Sequence, residues 1–219
     1  MTESNVEFVS EKTIRKAERY LKKVDPVMAE LVTQYGSCML AAKPYHPFYT
    51  LVRSIISQQL STKAADTIES RIAQIISAPF KPEDVMKISV KKFRNAGLAN
   101  MKVRSILGVA NAVVTGELCF ETLAQQPNHV VIEKLIQLHG IGQWTATMFL
   151  IFCLKRLDVL VIGDAGLQRA VNLLYQAHFP KKRDDKLFLH VSKIWQPYRT
   201  VASWYLWQYL DSNGKNKKQ

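Results

Sequence analysis

The chain has 219 residues, enough for one large core or two small lobes, and its 47% hydrophobic and 22% charged content is typical of a globular protein. No apolar run approaches the roughly 20 residues needed to cross a bilayer, and the N-terminal segment lacks the features of a secretory signal, so we expect an intracellular protein that does not enter membranes. The formal net charge of +12 favours polyanionic partners, because each cation that neutralises a phosphate releases counterions.

Helical periodicity dominates the chain and strand alternation is nearly absent, which predicts an all-α protein. The predicted helices are bounded by Pro, Gly, Ser or Asn signals and run from Glu11 to Lys23, Val27 to Tyr35, Phe48 to Gln58, Lys63 to Ile76, Val90 to Asn95, Met101 to Thr115, His129 to Leu138, Gln143 to Leu154, Ala165 to Gln176, Asp185 to Ile194 and Arg199 to Asp211. The apolar run Leu157 to Ile162 has no partner strand, so a loop is predicted there. Residues 214–219 are expected to form a disordered basic tail.

A glycine hairpin joins two of these helices. Gly140 and Gly142 flank Ile141, and this spacing lets the backbone turn tightly and approach another backbone closely. The amides of Gly140, Ile141, Gly142 and Gln143 open the helix that carries Trp144, and a helix N-terminus offers donors and partial positive charge that suit a phosphate. These four residues are therefore predicted to bind a nucleic-acid backbone.

Asp164 is the acid that follows the hairpin helix. It precedes an amphipathic helix, so the local pattern alone favours an N-cap. A helix N-terminus also favours the charged form of a carboxylate, and the cap and a catalytic role are compatible. Asp158, at the start of the same segment, is expected to make local hydrogen bonds.

These motifs resemble the helix-hairpin-helix (HhH-GPD) DNA glycosylase superfamily, which is named for a hairpin, a Gly/Pro-rich loop and an aspartate. Within it the chain most resembles the 3-methyladenine DNA glycosylase II branch, which has Trp at the position of Trp144. Three other blocks are similar to that branch: Phe48 to Ser61 with Lys63-Ala64-Ala65, Gly97-Leu98 with Lys102, and Trp195 through to Trp207. The resemblance extends from Pro47 to Trp207.

The resemblance implies an HhH-GPD domain over 1–213, built as two helical lobes with a cleft between them and with both termini in the same lobe. It implies that Asp164 is catalytic, because a fixed negative charge beside the sugar stabilises an oxocarbenium-like transition state and can orient a water. Trp144 and Trp207 would form a pocket around an electron-poor methylated purine. Gln59 and Leu60 would form a wedge that fills the hole left by a flipped nucleotide.

Trp144 stands where the bifunctional members of the superfamily carry a Schiff-base lysine, and without an amine no imine forms. The resemblance therefore implies a monofunctional glycosylase that hydrolyses the N-glycosidic bond of alkylated purines, 3-methyladenine and 7-methylguanine, in damaged double-stranded DNA. We expect it to act as a monomer. It would act in base excision repair, in the cytoplasm or nucleoid of a bacterium or in the nucleus of a eukaryote. Two alternatives stay open: a non-catalytic helix-hairpin-helix DNA-binding module, and a glycosylase for a deaminated or oxidised base.

Several residues near these motifs carry lesser expectations. Lys102 and Arg104 are expected to contact the DNA backbone, and His139 to lie within reach of a phosphate. Trp195 and Trp204 are expected to be core residues or to pack between the lobes, and a buried core position is the alternative for Trp144.

The cysteines and histidines predict neither a metal nor a cofactor. Cys38, Cys119 and Cys153 are odd in number and widely spaced, so reduced thiols are expected rather than disulfides or a zinc site. The three cysteines also exclude the iron–sulfur members of the superfamily, whose clusters need four thiolate ligands. The histidines show no metal-binding spacing.

Overall fold

The computed structural model describes residues 9–42, 46–176 and 185–216. These residues form α-helices and a short 3-10 helix, Met39–Ala42, without a strand, which confirms the predicted all-α class. The α-helices are α1 (Glu11–Val24), α2 (Pro26–Tyr35), α3 (Pro47–Ser57), α4 (Thr62–Ala73), α5 (Pro82–Met86), α6 (Val90–Asn95), α7 (Asn100–Val114), α8 (Phe120–Ala124), α9 (Asn128–Ile136), α10 (Gln143–Phe152), α11 (Ala165–Tyr175), α12 (Asp185–Ser192) and α13 (Arg199–Asn216).

The helices form two compact units. Within the described residues, the first unit consists of 46–154 and so contains α3 to α10. The second unit consists of 9–42 together with 155–176 and 185–216, so helices from both ends of the chain pack together there. In this second unit α13 packs against α1, α2 and α11.

Helix α10 lies at the centre of the first unit, between α3 and α9. Its sequence is apolar over most of its length, and Phe149, Leu150 and Ile151 are completely buried. A helix that is apolar all round is stable only when it is covered on all sides. The burial of α10 therefore fixes the position of the hairpin turn at its N-terminus.

The second unit is organised around the buried carboxylate of Asp25, the N-cap of α2. Its Oδ1 accepts hydrogen bonds from the backbone N–H groups of Val27 (2.9 Å) and Met28 (3.2 Å). Its Oδ2 accepts from the hydroxyl of Tyr175 (2.6 Å) and from Nε1 of Trp195 (2.7 Å), and burial together with this carboxylate raises the pKa of Tyr175. Four donors thus compensate the desolvation of the charge, and Trp195 is a core residue as predicted.

The observed elements differ from the predicted ones at a few places. The five-residue helices α5 and α8 and the 3-10 helix were not predicted, whereas the run Leu157 to Ile162 is a loop as expected. The expectation of disorder from Gly214 is corrected for 214–216, because α13 continues to Asn216; 217–219 lie outside the described residues. No described helix has the length and apolar character that crossing a membrane requires.

Candidate functional site

The hairpin predicted to bind a phosphate backbone connects α9 to α10 through residues 137–142. Gly140 lies in the left-handed region with φ +80°. A Cβ at this position would lie 1.9 Å from Oγ of Ser105 on α7. Gly140 is therefore required by the fold itself, both for its backbone conformation and for its close packing on α7.

Gly142 has no such internal requirement. It is the N-cap of α10 with an ordinary φ of −94°, and a Cβ there would meet nothing within 4 Å. No side chain caps this helix, so the first-turn amides that include Gln143 have no capping partner from the N-cap residue. An exposed, side-chain-free N-terminus is the arrangement that allows close approach of a phosphate.

The backbone amide of Ile141 differs from those of its neighbours in the hairpin, because it is used within the turn. Its side chain is buried, 4% exposed, and its N–H donates to the carbonyl oxygen of Leu138 at 3.1 Å. The amide of Ile141 is therefore engaged inside the turn, whereas a phosphate contact by Gly140, Gly142 and Gln143 stays a prediction.

Gln58 joins this hairpin to the turn that follows α3. Its Nε2 donates to the carbonyl oxygen of Gly140 at 3.0 Å and to Oγ1 of the buried Thr145 at 2.9 Å. One half-buried amide thus connects the left-handed residue of the hairpin with the first turn of α10. This role of Gln58 was not predicted, since nothing in the local sequence distinguishes it from Gln59.

Lys102 supports the same turn from the other side. Its Nζ donates to the carbonyl oxygens of Ile56 and Gln58, both at 2.7 Å, at the C-terminal end of α3, and burial lowers the pKa of this lysine. Unpaired carbonyls at a helix C-terminus are a favourable site for a cation. Two of the three N–H donors of its ammonium are thus engaged by the protein, and a contact of Lys102 with the DNA backbone stays a prediction. Arg104 is exposed, and its contact with DNA stays a prediction.

The predicted wedge residues lie at the exposed end of this supported turn. Gln59 adopts φ +55°, which is unfavourable for a residue with a side chain, and Leu60 is 40% exposed although it is apolar. The backbone is closed by a 3.1 Å hydrogen bond from the Leu60 N–H to the carbonyl oxygen of Ser57, and Ser61 caps α4. Both wedge candidates therefore project from a constrained backbone.

A surface pocket of about 720 Å³ lies between the wedge turn and the hairpin. Gln58 and Gln59 line it on one side, and the hairpin and the start of α10 line it on the other. Trp144 forms part of its wall and is 40% exposed, so the buried core alternative for this tryptophan is wrong. An exposed indole in a concave site presents a flat aromatic surface of the kind that stacks on a flat ligand.

His139 also lines this pocket, and its Nδ1 lies 3.3 Å from Oγ of Ser105. Ser105 in turn donates to the carbonyl oxygen of Met101 at 2.9 Å. This contact connects the hairpin to α7 and orients the imidazole ring. A phosphate contact by His139 stays a prediction.

Asp164 lies in the second unit at the start of α11. It is half-buried, and its Oδ1 accepts a hydrogen bond of 2.8 Å from the N–H of Leu167, which confirms the predicted N-cap. A Cβ at Gly166 would lie 3.0 Å from this Oδ1 and 3.3 Å from Cδ1 of Leu210. The glycine two residues later thus leaves room for the carboxylate, a requirement that the sequence analysis missed.

The loop that leads to Asp164 is attached to the first turn of α13. Asp158 forms a two-point ion pair with Arg199, with Oδ1 to Nε at 2.6 Å and Oδ2 to Nη2 at 2.9 Å. Oγ1 of Thr200 donates to the carbonyl oxygen of Arg156 at 2.6 Å and accepts from the N–H of Val159 at 3.0 Å. These contacts confirm the local bonding expected of Asp158, and they hold the loop at a defined position on α13.

Trp207, the second predicted pocket residue, is half-buried on α13 in the second unit. Trp204 is also half-buried, and its ring packs edge-on against Tyr205 with centroids 4.9 Å apart. Trp207 therefore has the partial exposure that a pocket role requires, whereas its contact with a base stays a prediction.

The cysteines have no paired or metal-binding arrangement. All three are free thiols, and burial raises the pKa of Cys38 to about 12, so this thiol is unreactive at neutral pH. Within the described residues no group of three His, Cys, Asp or Glu side chains is placed to hold a metal ion.

Comparison with known proteins decides the family. A family model described as the HhH-GPD superfamily base excision DNA repair protein matches residues 52–197. The chain belongs to this superfamily. The resemblance stated from the motifs is thus confirmed, and the hairpin and Asp164 both fall within the matched range.

This HhH-GPD protein also has curated relatives that cover nearly its whole length. It is 33% identical to DNA-3-methyladenine glycosylase 1 of Schizosaccharomyces pombe, over 90% of this chain and 87% of that protein. It is 28% identical to the alkylbase DNA glycosidase-like protein of the same yeast, over 89% and 92% of the two chains. These relatives support the 3-methyladenine glycosylase branch of the superfamily.

Solved structures of HhH-GPD proteins agree with this fold. The DNA-3-methyladenine glycosidase of Bacillus halodurans is 40% identical, with a TM-score of 0.74 and 88% coverage of both chains. The S. pombe 3-methyladenine DNA glycosylase, solved in complex with abasic DNA, is 32% identical with a TM-score of 0.72 and coverage of 88% and 95%. An 8-oxoguanine glycosylase/lyase at 17% identity shares the fold alone.

Proposed function

We propose that this protein is a monofunctional DNA glycosylase that hydrolyses the N-glycosidic bond of alkylated purines, 3-methyladenine first and 7-methylguanine second, in double-stranded DNA during base excision repair. The observation that carries the proposal is Trp144, which lies exposed in the pocket directly after the hairpin of a chain whose named relatives are 3-methyladenine glycosylases. An indole there supplies stacking to a flipped base and no amine for covalent chemistry.

Asp164 is the proposed catalytic residue. Departure of the base moves positive charge onto an oxocarbenium-like sugar, which a fixed carboxylate beside it stabilises more than it stabilises the uncharged sugar of the intact nucleotide. The bond to Leu167 occupies one side of Oδ1, and the space left by Gly166 keeps the carboxylate from being displaced. In this proposal the same group orients the water that attacks the anomeric carbon.

The leaving group accounts for the simplicity of the site. An alkylated purine carries positive charge on the ring and departs as a neutral base, so little acid catalysis is needed. Trp144 and Trp207 would attract this electron-poor ring by stacking and cation–π interaction. A deaminated or oxidised base lacks the charge and would gain less from the same aromatic residues.

The absence of lyase activity follows from the chemistry of the same residue. A lyase needs an amine that attacks the sugar and forms an imine, and an indole cannot do so. Lys102, which lies in the same unit, donates to two backbone carbonyls. We therefore propose that hydrolysis ends at an intact abasic site.

The proposal is tested by base release from duplexes that carry one alkylated, one deaminated or one oxidised base in the same sequence. We expect release of the alkylated base alone. Binding to all duplexes without release would support the non-catalytic DNA-binding module instead. Preferential release of the deaminated or oxidised base would assign the protein to a different lesion.

A further inference from the structure

Helix α1 carries a face made only of cations on the side opposite to its buried face. Ile14, Ala17 and Leu21 are buried at 1% exposure or less and pack into the second unit. All lysines and arginines of the helix are exposed: Lys12, Arg15, Lys16, Arg19, Lys22 and Lys23. Because successive helical residues are offset by about 100°, these six side chains fall within an arc of about 120°.

The carboxylates of α1 do not neutralise this face. Glu18 points to the protein, where its Oε1 accepts hydrogen bonds from Oγ of Ser37 (3.0 Å), the N–H of Cys38 (2.8 Å) and the hydroxyl of Tyr205 (3.0 Å). Glu11 pairs with Arg15 at 2.9 Å, but both side chains are largely exposed, so the pair is weak. Six cations and two acids leave α1 with a formal charge of +4, a third of the +12 of the chain.

The cationic face is unfavourable for the isolated helix. Lys12 and Lys16, Arg15 and Arg19, and Arg19 and Lys23 are like-charge pairs four residues apart, which destabilise a helix. The cations in the N-terminal half also oppose the helix dipole, whereas those in the last turn complement it. A polyanion bound along this face would relieve the repulsion.

We propose that this face of α1 is a second DNA-binding surface that holds the phosphate backbone of undamaged duplex independently of the hairpin. The face is about 16 Å long, and each strand of a duplex presents a phosphate about every 3.4 Å along its axis. Several phosphates therefore face the helix at once. The choice of DNA over another polyanion rests on the proposed function, which already requires the protein to search undamaged duplex.

The test measures the affinity of the full-length protein for a long undamaged duplex as a function of salt. Lys16→Gln/Arg19→Gln/Lys23→Gln removes three charges from the centre of the face and keeps good helix formers. Lys81→Gln/Lys91→Gln/Lys92→Gln removes three exposed charges from the first unit and is the matched control. Lys16→Arg/Arg19→Lys/Lys23→Arg keeps the charge and changes the side chains.

We expect the α1 Gln variant to reduce the slope of log affinity against log salt by about 2 to 3, since each phosphate neutralised contributes about 0.9. The charge-keeping variant should retain the wild-type slope. The single variants Lys16→Gln and Arg19→Gln should each reduce the slope by about 0.9, which keeps the test valid if the triple variant folds poorly. The α1 assignment is overturned if the slope is unchanged, or if the control variant reduces it equally.

Release of 3-methyladenine by the wild-type protein is measured in parallel. An unchanged slope together with base release would overturn the α1 surface and leave the proposed function standing. A reduced slope in the α1 Gln variant, together with no base release by the wild-type protein, would support DNA binding by α1 and count against the glycosylase. The two failures are therefore distinguishable.

Discussion

The side-chain amide of Gln58 donates a 3.0 Å hydrogen bond to the carbonyl oxygen of Gly140, a residue 82 positions later in the chain. A second bond from the same Nε2 reaches Thr145 in the first turn of α10. The turn that carries the wedge candidates and the hairpin that is predicted to bind phosphate are thus parts of one hydrogen-bonded arrangement. We therefore expect the insertion of Gln59 and Leu60 into DNA and the binding of phosphates by the hairpin to depend on each other.

Replacement of Gln58 by Leu tests this connection. The variant keeps the volume but removes both hydrogen bonds, each worth about 0.5–1.5 kcal/mol, so we expect base release to fall by roughly tenfold or more. Single-turnover release from a duplex with one alkylated base is the measurement. Gln74→Leu, at an exposed position in the same unit, is the control and should be near wild type. Equal rates for the two variants would show that the connection has no functional role.

The two hairpin glycines should respond differently to the same substitution. Gly140→Ala places a Cβ against Ser105 at a φ of +80°, so we expect the free energy of unfolding to fall by at least about 1–2 kcal/mol. Gly142→Ala meets no protein atom and has an ordinary φ, so its stability should be unchanged while its affinity for DNA falls.

Thermal unfolding and duplex binding of both glycine variants check this prediction. If Gly142→Ala, and even the bulky and acidic Gly142→Glu, bound DNA as the wild type does, the hairpin would not lie in the interface.

The negative charge of Asp164 can be tested separately from the hydrogen bond by which Asp164 caps α11. Asp164→Asn keeps an oxygen that accepts from the N–H of Leu167, so the fold should be retained while base release falls by at least about 10²-fold. Asp164→Ala loses the cap as well and should cost about 1 kcal/mol of stability in addition. Binding of lesion duplex should persist in the Asn variant. Release within a few-fold of wild type would remove Asp164 from the mechanism.

Trp144 leads to a prediction about covalent intermediates. Because no amine stands at this position, incubation with lesion duplex and borohydride should trap no protein–DNA complex, and strands should break only after alkali. A known glycosylase/lyase treated in the same way supplies the positive control. Efficient trapping would mean that another lysine forms the imine and that the protein is bifunctional.

The sequence was sufficient for the features that depend on local pattern. The long amphipathic helices and the caps at Ser61 and Asp164 follow from periodicity and from short-range hydrogen bonding, and the structure has them. The helices α5 and α8 have five residues each, fewer than two turns, so they present no periodic pattern to detect.

The features that sequence could not supply depend on distant partners. Nothing in the sequence around Lys102 indicates that its ammonium binds two carbonyls more than 40 positions earlier in the chain. Gln58 and Gln59 are chemically identical neighbours, but Gln59 has a positive φ and is exposed, whereas the side chain of Gln58 reaches the hairpin. Gly166 is required by the carboxylate of Asp164 and by Leu210, a contact across 44 positions of sequence.

The most direct test of the central claim is chromatography of the free bases released from methylated duplex DNA by the wild-type protein and by Asp164→Asn. The account predicts that the wild type releases 3-methyladenine and leaves abasic sites in unbroken strands, and that the Asn variant binds the same DNA without release. Binding of methylated DNA by the wild-type protein with no free base detected would contradict the account.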